Sequence, residues 1–130
     1  MDPVVTELAL AQCSPAGAVL ARAFLDEPWW GAVIPDRDRR RRALPSIMTA
    51  GLRHGLLSGV VAEATPSLRA VSWWEPPGYQ DAFLPWLRCL PSLGATVWRA
   101  TPADLRRMFR ALGQWNRIRQ GIAPRPHWYL

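Results

Sequence analysis

Apolar and polar positions change their period several times along the chain, and each change marks an element. Val4-Val5-Thr6-Glu7-Leu8-Ala9-Leu10 alternates in the manner of a first strand. Ser14-Pro15 then supplies an N-cap followed by proline at the first helical position, and Val19, Leu20, Ala23 and Phe24 repeat at helical spacing behind it. Asp26-Glu27-Pro28 ends this helix, which leaves Trp29-Trp30-Gly31 in a loop. A second helix is expected from about Asp36, with Arg39 to Arg42 in its first turns and Leu44, Ile47, Met48, Leu52 and Leu56 on its core face. Pro45 sits inside that pattern, so it either kinks the helix or marks its true start. Gly59 to Ala64 and Leu68 to Trp74 read as two strands, and the short turn-forming link Thr65-Pro66-Ser67 makes them an antiparallel hairpin.

From Tyr79 to Leu93 the positions of Phe83, Leu84, Leu87 and Leu90 predict short helical turns interrupted by Pro85 and Pro91. A better helix follows: Thr101-Pro102 caps it, Asp104 lies in its first turn, and Leu105, Met108, Phe109 and Leu112 form its buried stripe, continued by Trp115. Gln120-Gly121 ends it. Pro124-Arg125-Pro126 then holds the backbone extended into His127-Trp128-Tyr129-Leu130, whose residues suit a pleated, half-buried strand. The expected fold class is α/β (α+β), with a mostly antiparallel sheet of about four strands and three or four helices in the order β-α-α-β-β-α-β.

Composition narrows the choice of chemistry. The chain has 130 residues, 49% of them hydrophobic and 8 of them tryptophan, so residues 1–130 form one domain or part of one and should fold. Basic residues outnumber acidic ones by 16 to 10 and all of them are arginine, giving a net charge of +6 and a pI near 10.9. Such a balance can attract nucleic acid or an anionic cofactor without choosing between them. Arg39 to Arg42 are the strongest nucleic-acid signal, yet consecutive helical residues point around the axis, which describes a solvated collar better than a phosphate-tracking stripe.

Cys13 and Cys89 lack CxxC or Cys/His ligand spacing, so they are expected as reduced, packed thiols with no metal site. The N-terminus opens with Asp2 and Glu7 rather than a positive region, and the uncharged runs are too short to cross a bilayer, so a cytoplasmic protein with no membrane partner is expected. The paired indoles Trp29 and Trp30 are candidates for either a lid on the core or a ligand platform. At Trp73-Trp74-Glu75-Pro76-Pro77-Gly78 the prolines force the sheet to let go, leaving Glu75 at a strand mouth beside two indoles, where charge and ring faces could bind a cationic amine.

The order of these pieces resembles the N-terminal half of a GNAT-superfamily N-acetyltransferase. The similarity rests on Leu20-Ala21-Arg22-Ala23-Phe24 leading through Asp26-Glu27-Pro28 to the Pro35–Arg42 helix start, on Trp74-Glu75-Pro76-Pro77-Gly78, and on His127 to Leu130, which would open the family's central strand. The resemblance implies acetyl-CoA-dependent transfer to a small-molecule or peptide amine, with Trp29, Trp30, Trp74 and Glu75 bordering the acceptor and His127 or Tyr129 facing the reacting centre as candidate catalytic groups. The family's Gln/Arg-x-x-Gly-x-Gly/Ala loop, whose backbone N–H groups hold the cofactor pyrophosphate, has no counterpart in this sequence. The expectation is therefore a truncated acetyltransferase, cut at the start of the central strand, inactive alone and binding no acetyl-CoA by itself. A small arginine-rich nucleic-acid-binding module and a half-domain completed by a partner chain are the alternatives. An unpaired final strand also carries a risk of self-association.

Overall fold

A computed structural model of the chain describes residues 4–77, 79 and 87–122. Its elements are β1 (Thr6–Glu7), a 3-10 turn (Leu10–Gln12), α1 (Cys13–Ala23), α2 (Pro28–Val33), α3 (Arg37–Leu57), β2 (Val61–Ala64), β3 (Val71–Trp74), α4 (Leu90–Arg99) and α5 (Pro102–Ile122). The described fold is mixed: a three-stranded antiparallel sheet in the order β1-β2-β3 with helices packed against one face. The expected final strand over His127 to Leu130 and the turns around Phe83, Leu84 and Pro85 lie outside the described residues.

The hairpin is as expected, but β3 begins at Val71 rather than Leu68. Leu68 adopts a left-handed conformation (φ 51°) and its N–H donates to the Thr65 carbonyl at 2.8 Å, while the Thr65 hydroxyl accepts the Arg69 N–H at 2.9 Å. The turn is thus longer than Thr65-Pro66-Ser67. Leu68 leans on the core beneath instead of entering the ladder.

Two cores form. On the sheet side Leu8, Cys13, Ala16, Leu52, Ala62 and Ala64 are buried, with Leu20, Leu56, Val71 and Trp73 against them. The buried face of α1 is made of small residues, Cys13, Ala16, Gly17 and Ala21, whereas Phe24, expected at its core face, is 40% exposed. Close approach explains this: a Cβ on Gly17 would lie 2.4 Å from Thr49 Oγ1 and 2.8 Å from the Thr49 backbone nitrogen, so α1 and α3 touch backbone to backbone at that crossing. Gly55 of α3 similarly makes room for the Trp73 ring, 3.0 Å from where its Cβ would stand.

The second core holds Val33, Ile34 and Ala43, with Trp29, Trp30, Ile47, Ala100, Met108 and Ala111 packed against it. Here Trp29-Trp30 is not a loop. Glu27 caps a short helix by accepting the Trp30 N–H at 3.2 Å, and Pro28 occupies the first turn, where its missing N–H costs nothing. The same logic makes α4 continuous through Pro91, which stands at its start and does not interrupt it.

Helix α3 runs unbroken through Pro45, so the arginine run belongs to the helix and is not a preceding turn. Asp36 caps it, accepting the Arg39 N–H at 2.7 Å. Thr101 and Asp104 cap α5 reciprocally: Asp104 N–H donates to Thr101 Oγ1 at 3.1 Å and Thr101 N–H to Asp104 Oδ2 at 2.9 Å.

Candidate functional site

The face of the sheet turned away from the helices is set by strand register. Ala62 and Ala64 of β2 point into the core with their partners Trp73 and Val71, so the alternate positions Val61, Glu63, Ser72 and Trp74 share the other face. Pairing with β1 sets Glu7 directly opposite Glu63 on that face. Two carboxylates therefore face each other across adjacent strands, with Ser72 opposite Glu63 on its other side and Trp74 two residues beyond Ser72, opposite Val61. Neither Glu7 nor Glu63 forms an ion pair among the described residues, and like charges opposed in this way repel each other unless a cation comes between them.

Glu75, still a bridge residue, and then Pro76-Pro77, which cannot donate to a ladder, follow immediately. The Tyr79 N–H donates to the Pro76 carbonyl at 3.0 Å. Glu75 is half-buried and Trp74 half-buried. The face with Glu7, Glu63 and Trp74 can hold a protonated amine by charge and by the indole ring.

Of the residues singled out from the sequence, Trp74 lies on this face, and Glu75 follows it at the strand end on the alternate side. Trp29 and Trp30 do not: their rings meet edge to face, 4.6 Å between centroids at 87°, and close the helical core that includes Val33 and Met108. They serve as lids because α2 brings them down on α3 and α5. The expectation that they lie in a loop is thereby corrected. His127 and Tyr129 lie outside the described residues. Glu7 and Glu63 were missed. Alternation in β2 could have put Glu63 on the outer face, but pairing with Glu7 joins residues more than fifty positions apart and leaves no local trace.

The arginine run is a solvated collar only in part: Arg41 and Arg42 are exposed, whereas Arg39 and Arg40 turn inward. Arg40 is 7% exposed and its guanidinium donates to the carbonyls of Leu25 at 2.6 Å and Ile34 at 2.7 Å. Arg39 pairs with Asp104 at 2.6 Å, Arg37 makes a two-point contact with Asp26 at 2.8 and 2.9 Å, and Arg41 reaches Asp38 at 2.9 Å. Asp104 is also held by Arg107, whose Nε donates to the Val33 carbonyl at 2.9 Å. Burial alone would push the Asp104 carboxyl up. The Thr101 backbone N–H and the Arg39 guanidinium outweigh that and hold it below the usual carboxylate range.

Burial pushes both cysteine thiols up, against the field of Arg53, and both are free and buried, in keeping with packed thiols. Among the described residues no cluster of metal-ligating side chains occurs, and no helix is long and apolar enough to cross a membrane. Comparison with protein-family models, with curated proteins and with solved structures finds no match.

Proposed function

We propose that this chain supplies the amine-acceptor side of a GNAT-type N-acetyltransferase domain and binds no acetyl-CoA by itself. The observation that carries the reading is the opposed pair Glu7 and Glu63 on the sheet face that also bears Trp74. A protonated small-molecule or peptide amine would relieve the repulsion between the carboxylates while its alkyl part lies against the indole. Such an amine must lose a proton before it can attack a thioester, and a carboxylate at the same edge is a suitable acceptor. In support, a strand, helices and an antiparallel hairpin follow one another as the resemblance implies, with α2 an additional helix, and the motif at Trp74-Glu75-Pro76-Pro77 falls at the end of β3 where an acceptor would approach. Holding the cofactor would need converging backbone donors of a glycine-rich loop, which this sequence does not contain.

The reading is tested by titrating the protein with a panel of primary amines and short peptides, following tryptophan emission, alongside calorimetry with acetyl-CoA. Amines should perturb the emission, Trp74→Phe should remove most of the change, and Glu63→Gln should weaken binding by about tenfold. Acetyl-CoA should give no binding heat. A micromolar dissociation constant for acetyl-CoA, or indifference of the protein to every amine, would overturn the proposal.

A further inference from the structure

Helix α5 does not finish what it starts. Its first half packs through Asp104, Met108 and Ala111 against α2 and the second core, and further along the same face come Trp115 and Ile118, which are 49% and 52% exposed. Beside that face Leu105, Phe109 and Leu112 follow one line at three- and four-residue steps. Phe109 is 68% and Leu112 41% exposed. The next line around the helix holds Arg106, Arg110 and Arg117, all exposed. No acidic residue follows Asp104 in the helix, and Asp104 itself is buried.

We propose that α5 is an interfacial helix that lays Phe109, Leu112 and Trp115 into an anionic lipid surface while Arg106, Arg110 and Arg117 meet the headgroups. Large apolar side chains flanked by exposed arginines on one helix are the pattern that gains from both parts of a membrane interface at once; Arg117 spends only its Nε, on the Gly113 carbonyl at 3.3 Å. Arg106 and Arg110 have no carboxylate partner among the described residues, so their charge is available to an external anion. A second copy of the chain is a poorer occupant, because a twofold arrangement would set arginine lines against each other. Nucleic acid would use the arginines and leave the Phe109 line largely without a role. The helix lies on the surface and does not span it, in agreement with the lack of a spanning helix among the described residues. This departs from the sequence-based expectation of no membrane partner, which considered spanning segments alone.

The test is co-sedimentation of the full chain with phosphatidylcholine vesicles containing phosphatidylglycerol, against vesicles of phosphatidylcholine alone, over a salt series. Binding should need the anionic lipid and weaken with salt. The double variant Arg106→Gln/Arg110→Gln should lose about fivefold per arginine. Phe109→Ser/Trp115→Ser should lose about tenfold or more, and Phe24→Ser, an exposed apolar change on α1, should lose nothing. Both α5 side chains are exposed, so circular dichroism should report an unchanged fold; if the double variant unfolds, Phe109→Ser alone is read in its place. The proposal fails if the native chain does not sediment with anionic vesicles, or if binding ignores the Phe109 change. It fails equally if an oligonucleotide is bound more tightly than the vesicles with loss confined to the arginine variant, or if light scattering shows a dimer whose dissociation depends on Phe109 and Trp115.

Discussion

In the first turns of α3, Arg37, Arg39, Arg40 and Arg41 each end on a carboxylate or a carbonyl, whereas in α5 Arg106 and Arg110 end on no carboxylate among the described residues. Both helices are arginine-rich and both are amphipathic, so the residue type does not decide the role. What differs is the company. Helix α3 enters beneath Leu25 and Ile34, whose carbonyls face inward and need donors, and opposite Asp104, whose buried carboxylate needs cations. Helix α5 extends past its support on α2, and its outer Arg106 and Arg110 are exposed with no carboxylate partner among the described residues. An arginine run in a sequence is thus as compatible with internal stitching as with a basic binding surface.

The largest expected effect tests the stitched end. Asp104→Ala should destabilise the fold by about 3 kcal/mol, because it strips the partners from Arg39, Arg107 and the Thr101 N–H at once. Urea denaturation monitored by circular dichroism measures this. A loss below about 1 kcal/mol would mean that α3 is no more dependent on its ion pairs than a surface helix.

Arg40→Met comes next. It keeps the packed stem but deprives the Leu25 and Ile34 carbonyls of their donor, and should cost about 2 kcal/mol in the same assay. Charge alone does not account for that figure, so Arg40→Lys should recover only part of it.

Acid should sharpen the contrast further. The Asp104 carboxyl titrates below its unfolded value in the folded protein, so its contribution is complete above about pH 4 and is lost as pH falls through the folded value. The stability difference between the native chain and Asp104→Asn should therefore be constant near neutrality and shrink in acid. A difference that grows on acidification would reverse the assigned sign.

The smallest effect belongs to the other helix. Arg106→Ala and Arg110→Ala should each change stability by no more than about 0.5 kcal/mol, since neither side chain contacts an acceptor among the described residues. A loss of about 2 kcal/mol at either would erase the distinction between the two helices.

Local chemistry made part of this architecture readable in advance. The β2–β3 hairpin follows from turn residues between β-branched and aromatic runs, and the start of α5 from the Thr101-Pro102-x-Asp104 cap, because each depends on neighbours within four positions. The short helix α2 had a local signal too, Glu27 before Pro28, but reading Asp26-Glu27-Pro28 as the end of the preceding helix uses the same residues equally well. Of the candidate site, Trp74 and Glu75 were legible from the prolines that end β3, and Glu7 was not.

By itself the sequence determined where α5 begins, that β2 and β3 form a hairpin and which faces could be apolar, since these depend on periodicity and capping at short range. Only tertiary structure decided that Gly17 meets Thr49, that Glu7 stands opposite Glu63, and that Arg40 is inside while Arg106 is outside. Each of these is a contact or its absence between residues distant along the chain. Burial and pairing are set by which surfaces the packed helices and strands bring together, and an arginine carries the same three letters in either place.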